Sequence, residues 1–121
     1  EKHAVPDVCD FLLIGDDALP AGLTLRLGVT RAVDLGLELA TQLALVGIAD
    51  GFMGMASGLC TAANLSDTPH VIFKHPAHHT AAMAGELGTA DHFPFAYPRQ
   101  QLWRRVADAA SLDEALKLLL L

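Results

Sequence analysis

Aromatic side chains make up only 6% of the sequence and charged ones 18%, and each shortage narrows the choice of fold. Few aromatics set against many Leu, Ala and Gly disfavour a β-sandwich and favour helices packed closely on a sheet. Cysteine occurs only at Cys9 and Cys60, too few for a disulfide framework. Cys60 lies in an Ala-rich helical stretch, where a thiol behaves as a small buried hydrophobe. The 8 Lys and Arg are outnumbered by 14 Asp and Glu, for a formal net charge of -6. That excludes a general nucleic-acid binder, because neutralising phosphates takes clustered cations. The nearest approach to a cluster, Arg99, Arg104 and Arg105, reads as the solvated face of a helix. No apolar run approaches the roughly 20 residues that span a bilayer, and no basic start leads into an apolar segment and a cleavage site. A cytoplasmic protein without a membrane span is the expectation.

What the chain has is apolar surface. With 121 residues and 52% hydrophobic side chains, it suits a single domain over 1–121 with a substantial core. Phe11 to Ile14 is a short apolar run ended by Gly15, Asp16 and Asp17, the pattern of a buried strand leaving through a polar turn. Leu19 to Thr30 reads as a loop followed by a possible strand. Leu35 to Ile48 carries Leu35, Leu39, Leu43 and Val46 on one face of a helix. Leu37, Leu45 and Ile48 widen that stripe, so the helix is predicted to be largely buried. Phe52 to Ala56 and Val71 to Phe73 read as further strands, with a helical segment from Leu59 to Leu65 between them. Thr68, preceding Pro69, is biased to the extended conformation. Ala77 to Leu87 is a helical candidate closed by Gly88, and Phe93 to Pro98 is too rich in proline for a central strand. Arg99 to Ala110 carries Leu102, Val106 and Ala109 at helical spacing. Ser111 and Glu114 form a capping box that opens a last helix at Leu112.

Short buried strands alternating with helices imply parallel pairing through right-handed crossovers. The expected fold is therefore α/β, a small parallel Rossmann-like sheet with helices on both faces, in three layers. In such a sheet ligands gather beyond the carboxyl ends of the strands. Three segments meet that description: Gly15 to Asp17, Gly54 to Leu59, and Lys74 to His79. In the middle segment Ser57 offers a hydroxyl at a helix start, and Gly58 lets an anion such as a diphosphate approach the backbone. The same residues also read as an ordinary N-cap and as relief of crowding. Lys74 and His75 leave the neighbouring strand at the same end, positioned to reach a phosphate, or else to snorkel into solvent and to cap the turn before Pro76. Asp16 and Asp17 suit a ribose hydroxyl, or simply a solvated turn. His75, His78, His79 and His92 lack a recognised ligand spacing, so no metal site is expected. No nucleophile elbow, Walker loop or complete dinucleotide fingerprint is present.

The segment from Leu37 to Pro69, LELATQLALVGIADGFMGMASGLCTAANLSDTP, resembles the donor-binding, C-terminal half of two-domain glycosyltransferases of the GT-B architecture. The shared order is a helix ending in Ala49 and Asp50, a strand over Phe52 to Ala56, the Ser57-Gly58 step, and a strand led by Pro69. The nearest subfamily in pattern is heptosyltransferase-like, with Ala56 where those enzymes carry an acidic residue. The resemblance implies a nucleoside diphosphate sugar as substrate and no separate cofactor. Its phosphates would be held by Gly54, Ser57, Gly58, Leu59, Lys74 and His75. It also implies an acceptor domain not contained in these residues. Beginning at Glu1, the chain reads as a segment of a longer protein, inactive in isolation. The competing expectation is a non-catalytic α/β interaction module, whose apolar stretches Leu35 to Ile48 and Leu116 to Leu121 complete a partner or a homodimer.

Overall fold

The computed structural model describes residues 10–15, 29–56, 58–77, 81, 85, 87, 88 and 90–120. The chain divides into two compact units, 1–45 and 46–121.

In the first unit, β1 (Phe11–Leu13) pairs in parallel with β2 (Val29–Arg31), Leu12 opposite Thr30. Thus the first apolar run and the end of the 19–30 stretch are both strands, as predicted, but β1 is not the buried strand expected, since Leu12 and Leu13 are exposed. A 3₁₀ turn over Val33–Leu35 follows, and Gly36 ends it at φ 70°, a conformation that favours glycine. Helix α1 then runs over Leu39–Ile48, its last three residues belonging to the second unit. The Gln42 side chain ties this region together, accepting from Gly15 N–H at 2.7 Å and donating to Leu37 O at 2.9 Å.

The predicted burial of α1 is corrected. Leu39 and Ile48 are 58% and 78% exposed, and of the helix only Gln42 and Val46 are buried. Those two positions are one turn apart. The helix is covered along a narrow line, so the width of its apolar stripe does not translate into burial.

The second unit is built on three parallel strands in the order β3-β4-β5: β3 (Phe52–Met55), β4 (His70–Phe73) and β5 (Gln100–Trp103). Central β4 is buried at every position, and its alternation serves two cores. Val71 and Phe73 pack with Trp103, Ala115 and Leu119, the last two from helix α3 (Ala109–Leu120). On the opposite side Ile72 packs with Leu102, Leu87 and Cys60, the cysteine from helix α2 (Cys60–Asn64). Helices therefore cover both faces of a small parallel sheet in three layers, as the sequence predicted. Burying each large apolar side chain contributes about 1.5–3 kcal/mol. Cys60 is buried, as expected of a small hydrophobe, and its thiol also donates to Met55 O at 2.7 Å. Ala81, Gly85 and Leu87 are helical, and Gly88 at φ 58° closes the segment.

Two local expectations are corrected here. Arg99 to Ala110 is not a helix: Gln100–Trp103 forms β5, with Leu102 and Trp103 buried in opposite cores. Sheet pairing with β4 overrides the chance helical spacing of Leu102, Val106 and Ala109. The last helix begins at Ala109, not at Leu112. Its cap is the Asp108 carboxylate, which accepts from Ser111 N–H at 2.8 Å. Ser111 is consequently buried inside the first turn, and Glu114 turns instead to Arg105.

Candidate functional site

The register that pairs Met55 with Phe73 and Phe73 with Trp103 brings the carboxyl ends of β3, β4 and β5 level. The pairing continues one step beyond. Ala56 N–H donates to Phe73 O, and Lys74 N–H donates to Trp103 O, each at 2.8 Å. Ala56, Lys74 and Arg104 thus leave the same edge of the sheet side by side.

The sequence-predicted residues divide according to what explains them. Gly54 sits within β3, where a Cβ would lie 2.9 Å from the Phe52 ring and 3.4 Å from Cys60 Sγ. Internal packing demands that glycine. Ser57 lies outside the described residues. Gly58 is different from Gly54: it is exposed, it is not at positive φ, and among the described residues a Cβ there would meet nothing within 4 Å. Neither backbone conformation nor crowding by the protein accounts for it. Leu59 precedes α2 in the helical conformation and supplies no side-chain cap. Helix α2 is only 5 residues long, so its dipole is that of little more than one turn.

Lys74 and His75 leave β4 at this edge, both half-buried. The imidazole Nδ1 of His75 accepts from Ala77 N–H at 3.1 Å, the turn-capping role foreseen for it. In the neutral ring that arrangement places the proton on Nε2. Gly15, in the first unit, gives its N–H to Gln42; Asp16, Asp17, His78 and His79 lie outside the described residues. His92 Nδ1 is 3.0 Å from the Asp91 carboxylate, and its hydrogen bond, above all other influences, holds the Asp91 carboxyl below its usual range. Among the described residues no group of three or more His, Cys, Asp and Glu is arranged to hold a metal. No helix among them is long and apolar enough to cross a membrane.

Sequence reasoning missed Arg104 and Arg105 as site residues because it placed them on a helix. As the residues that follow β5, they border a cleft of about 460 Å³ that also contacts Asp91, Trp103, Glu114 and Leu118. Arg104 Nη2 donates to Ala90 O at 2.8 Å. The Arg105 guanidinium lies 3.9 Å from the centre of the Trp103 ring and donates to Glu114 at 2.9 Å. The available signal was Leu102-Trp103 directly before two arginines, an apolar pair turning abruptly cationic as a strand does on leaving a sheet.

No family model, curated protein or solved structure matches the chain.

Proposed function

We propose that the 46–121 unit binds the diphosphate of a nucleoside diphosphate sugar at the carboxyl edge of β3 and β4, as the donor-binding part of a glycosyltransferase. The observation that carries this reading is the space left open over Gly58 by the described residues, a glycine that neither their packing nor its own backbone requires. Close approach of a ligand to the main chain does require it. Lys74, from the adjacent strand end, supplies the charge that such a ligand needs and that the short helix α2 does not. In the reaction, Lys74 or His75 would neutralise the charge developing on the departing diphosphate. The sugar donor is the substrate, and no further cofactor enters. Turnover by this chain alone is not expected, since the acceptor side of such enzymes comes from a second domain.

Thermal shift with uridine, guanosine, adenosine, cytidine and thymidine diphosphates, with and without divalent metal, tests the reading. A selective rise in Tm, lost in Gly58→Leu while the unliganded Tm stays unchanged, is the expected result. A flat screen with a well-folded protein counts against it.

A second reading, a non-catalytic interaction module, is supported by the exposure of Leu39 and Ile48 on α1, a helix that carries no charged residue. Here sedimentation decides. Self-association abolished by Leu39→Glu with Ile48→Glu supports it, and a strict monomer removes its basis.

A further inference from the structure

We infer that Arg104 is an anion-binding residue, forming with Lys74 a two-cation site for a phosphoryl group where β4 and β5 end. The inference rests on the proposed diphosphate reading and extends it by one strand. Its basis is the register. Phe73 and Trp103 are partners, and the hydrogen bond from Lys74 N–H to Trp103 O carries the pairing past the last strand residues. Lys74 and Arg104 therefore leave neighbouring strands at the same level, on backbones roughly 4.8 Å apart. Long cationic side chains rising from backbones at that separation can converge on one phosphoryl group, and a guanidinium presents paired donors matched to its oxygens.

The partners these cations have now are easily exchanged. Among the described residues neither Lys74 nor Arg104 forms an ion pair with a carboxylate. Arg104 is exposed and, among the described residues, donates to one backbone carbonyl, that of Ala90. Arg105 behaves otherwise, being held over the Trp103 ring and paired with Glu114. It is fixed in the wall of the cleft. Asp91 also borders the cleft and lies within electrostatic reach of Arg104, yet its hydrogen bond is to His92. The cleft of about 460 Å³ is bordered by Arg104 but not by Lys74, so what brings the two cations together is the strand register.

The test is calorimetric titration of the whole chain with inorganic pyrophosphate and with the nucleoside diphosphates. Wild type is compared with Arg104→Gln, Lys74→Gln and the control Lys117→Gln, which removes an equal charge from α3. Losing a charge-assisted hydrogen bond to phosphate weakens binding roughly ten- to hundredfold. Arg104→Gln and Lys74→Gln are each expected to show that loss for both ligands, and Lys117→Gln little change. Arg104 is exposed, so circular dichroism and Tm of its variant should match wild type.

Nucleotide binding unchanged in Arg104→Gln overturns the inference and leaves the proposed function standing. Pyrophosphate binding that depends on Arg104, with no gain from any nucleoside, supports the inference and removes the nucleotide reading. No binding of either ligand to wild type removes both. Equal weakening by all three variants also overturns the inference, because it shows that net charge alone is being read.

Discussion

Phe73 and Trp103, partners across β4 and β5, meet edge to face with ring centroids 5.5 Å apart and planes at 88°. The contact joins the two strands whose ends carry Lys74 and Arg104, so core packing and the geometry of the proposed site share one pair of rings. Trp103 also carries the Arg105 guanidinium over its ring. Trp103→Ala would remove all of this. The expected loss is about 3–5 kcal/mol of stability, read from urea denaturation followed by circular dichroism. A loss below about 1 kcal/mol would mean that the ring is not part of the core.

At the opposite end of β5, Gln100 is 2% exposed. Its Nε2 donates to Ser66 O at 2.8 Å and Thr68 O at 2.9 Å, while its Oε1 accepts from Tyr97 N–H at 3.0 Å. Gln100→Leu keeps similar bulk but strands all three backbone groups. Since an unsatisfied buried polar group costs about 1–3 kcal/mol, the variant should lose roughly 2–4 kcal/mol, allowing for partial access of water. Gln100→Glu preserves only the acceptor and should be no better. Denaturation midpoints of the two variants check this, and a neutral Gln100→Leu would show that the network is not structural.

The same glutamine explains why β5 was illegible in the sequence. Strands β1, β3 and β4 announce themselves through Phe11, Phe52 and Val71 to Phe73, apolar runs that end at turn residues. In β5 two of the strand residues are glutamines, and Gln100 is buried by hydrogen bonding rather than by hydrophobicity. Hydropathy patterning cannot register that. Reading a helix there then hid Arg104, whose position matters only if a strand ends before it. Gly58 and Lys74 were legible because each closely follows a recognisable apolar run. The helix cap was missed for a related reason: Asp108 and Ser111 are both acceptable caps, and only the course of the chain from Trp103 selects Asp108.

His70 opens β4 at 3% exposure, and its Nδ1 has no hydrogen-bond partner among the described residues. Burial holds the imidazole below its usual 6.5, while the carbonyls of Thr68 and Ala63 pull weakly the other way. Between the folded and unfolded values the unfolded chain binds more protons, so stability there rises with pH. The contribution from a neutral His70 is complete above about pH 6.5 and declines as pH falls through 6.5 towards the lower folded value. Asp91 and Asp108 are separable from it. Hydrogen bonds, from His92 and from Ser111 N–H respectively, lower their carboxyls from 3.8, so their effect comes in more acidic solution. Urea midpoints at pH 7.5, 6.5 and 5.5 should fall over the last interval in wild type and fall less in His70→Gln. Parallel profiles would remove His70 as the cause.

Gly54 and Gly58 stand four residues apart and should respond oppositely to the same methyl group. At Gly54 a Cβ would approach the Phe52 ring to 2.9 Å, and the ring is half-buried between neighbours. Gly54→Ala should therefore cost about 1–3 kcal/mol by overpacking. At Gly58 a Cβ points into open space, so Gly58→Ala should change stability by no more than about 0.5 kcal/mol. If a diphosphate lies against that main chain, the order reverses for binding: Gly58→Ala weakens it at unchanged Tm, and Gly58→Leu abolishes it. Measuring Tm and nucleotide affinity on the same three variants separates a glycine kept for packing from one kept for a ligand. Full affinity in Gly58→Leu would mean that the open space over Gly58 is ordinary solvent, leaving the proposed function without the observation that carries it.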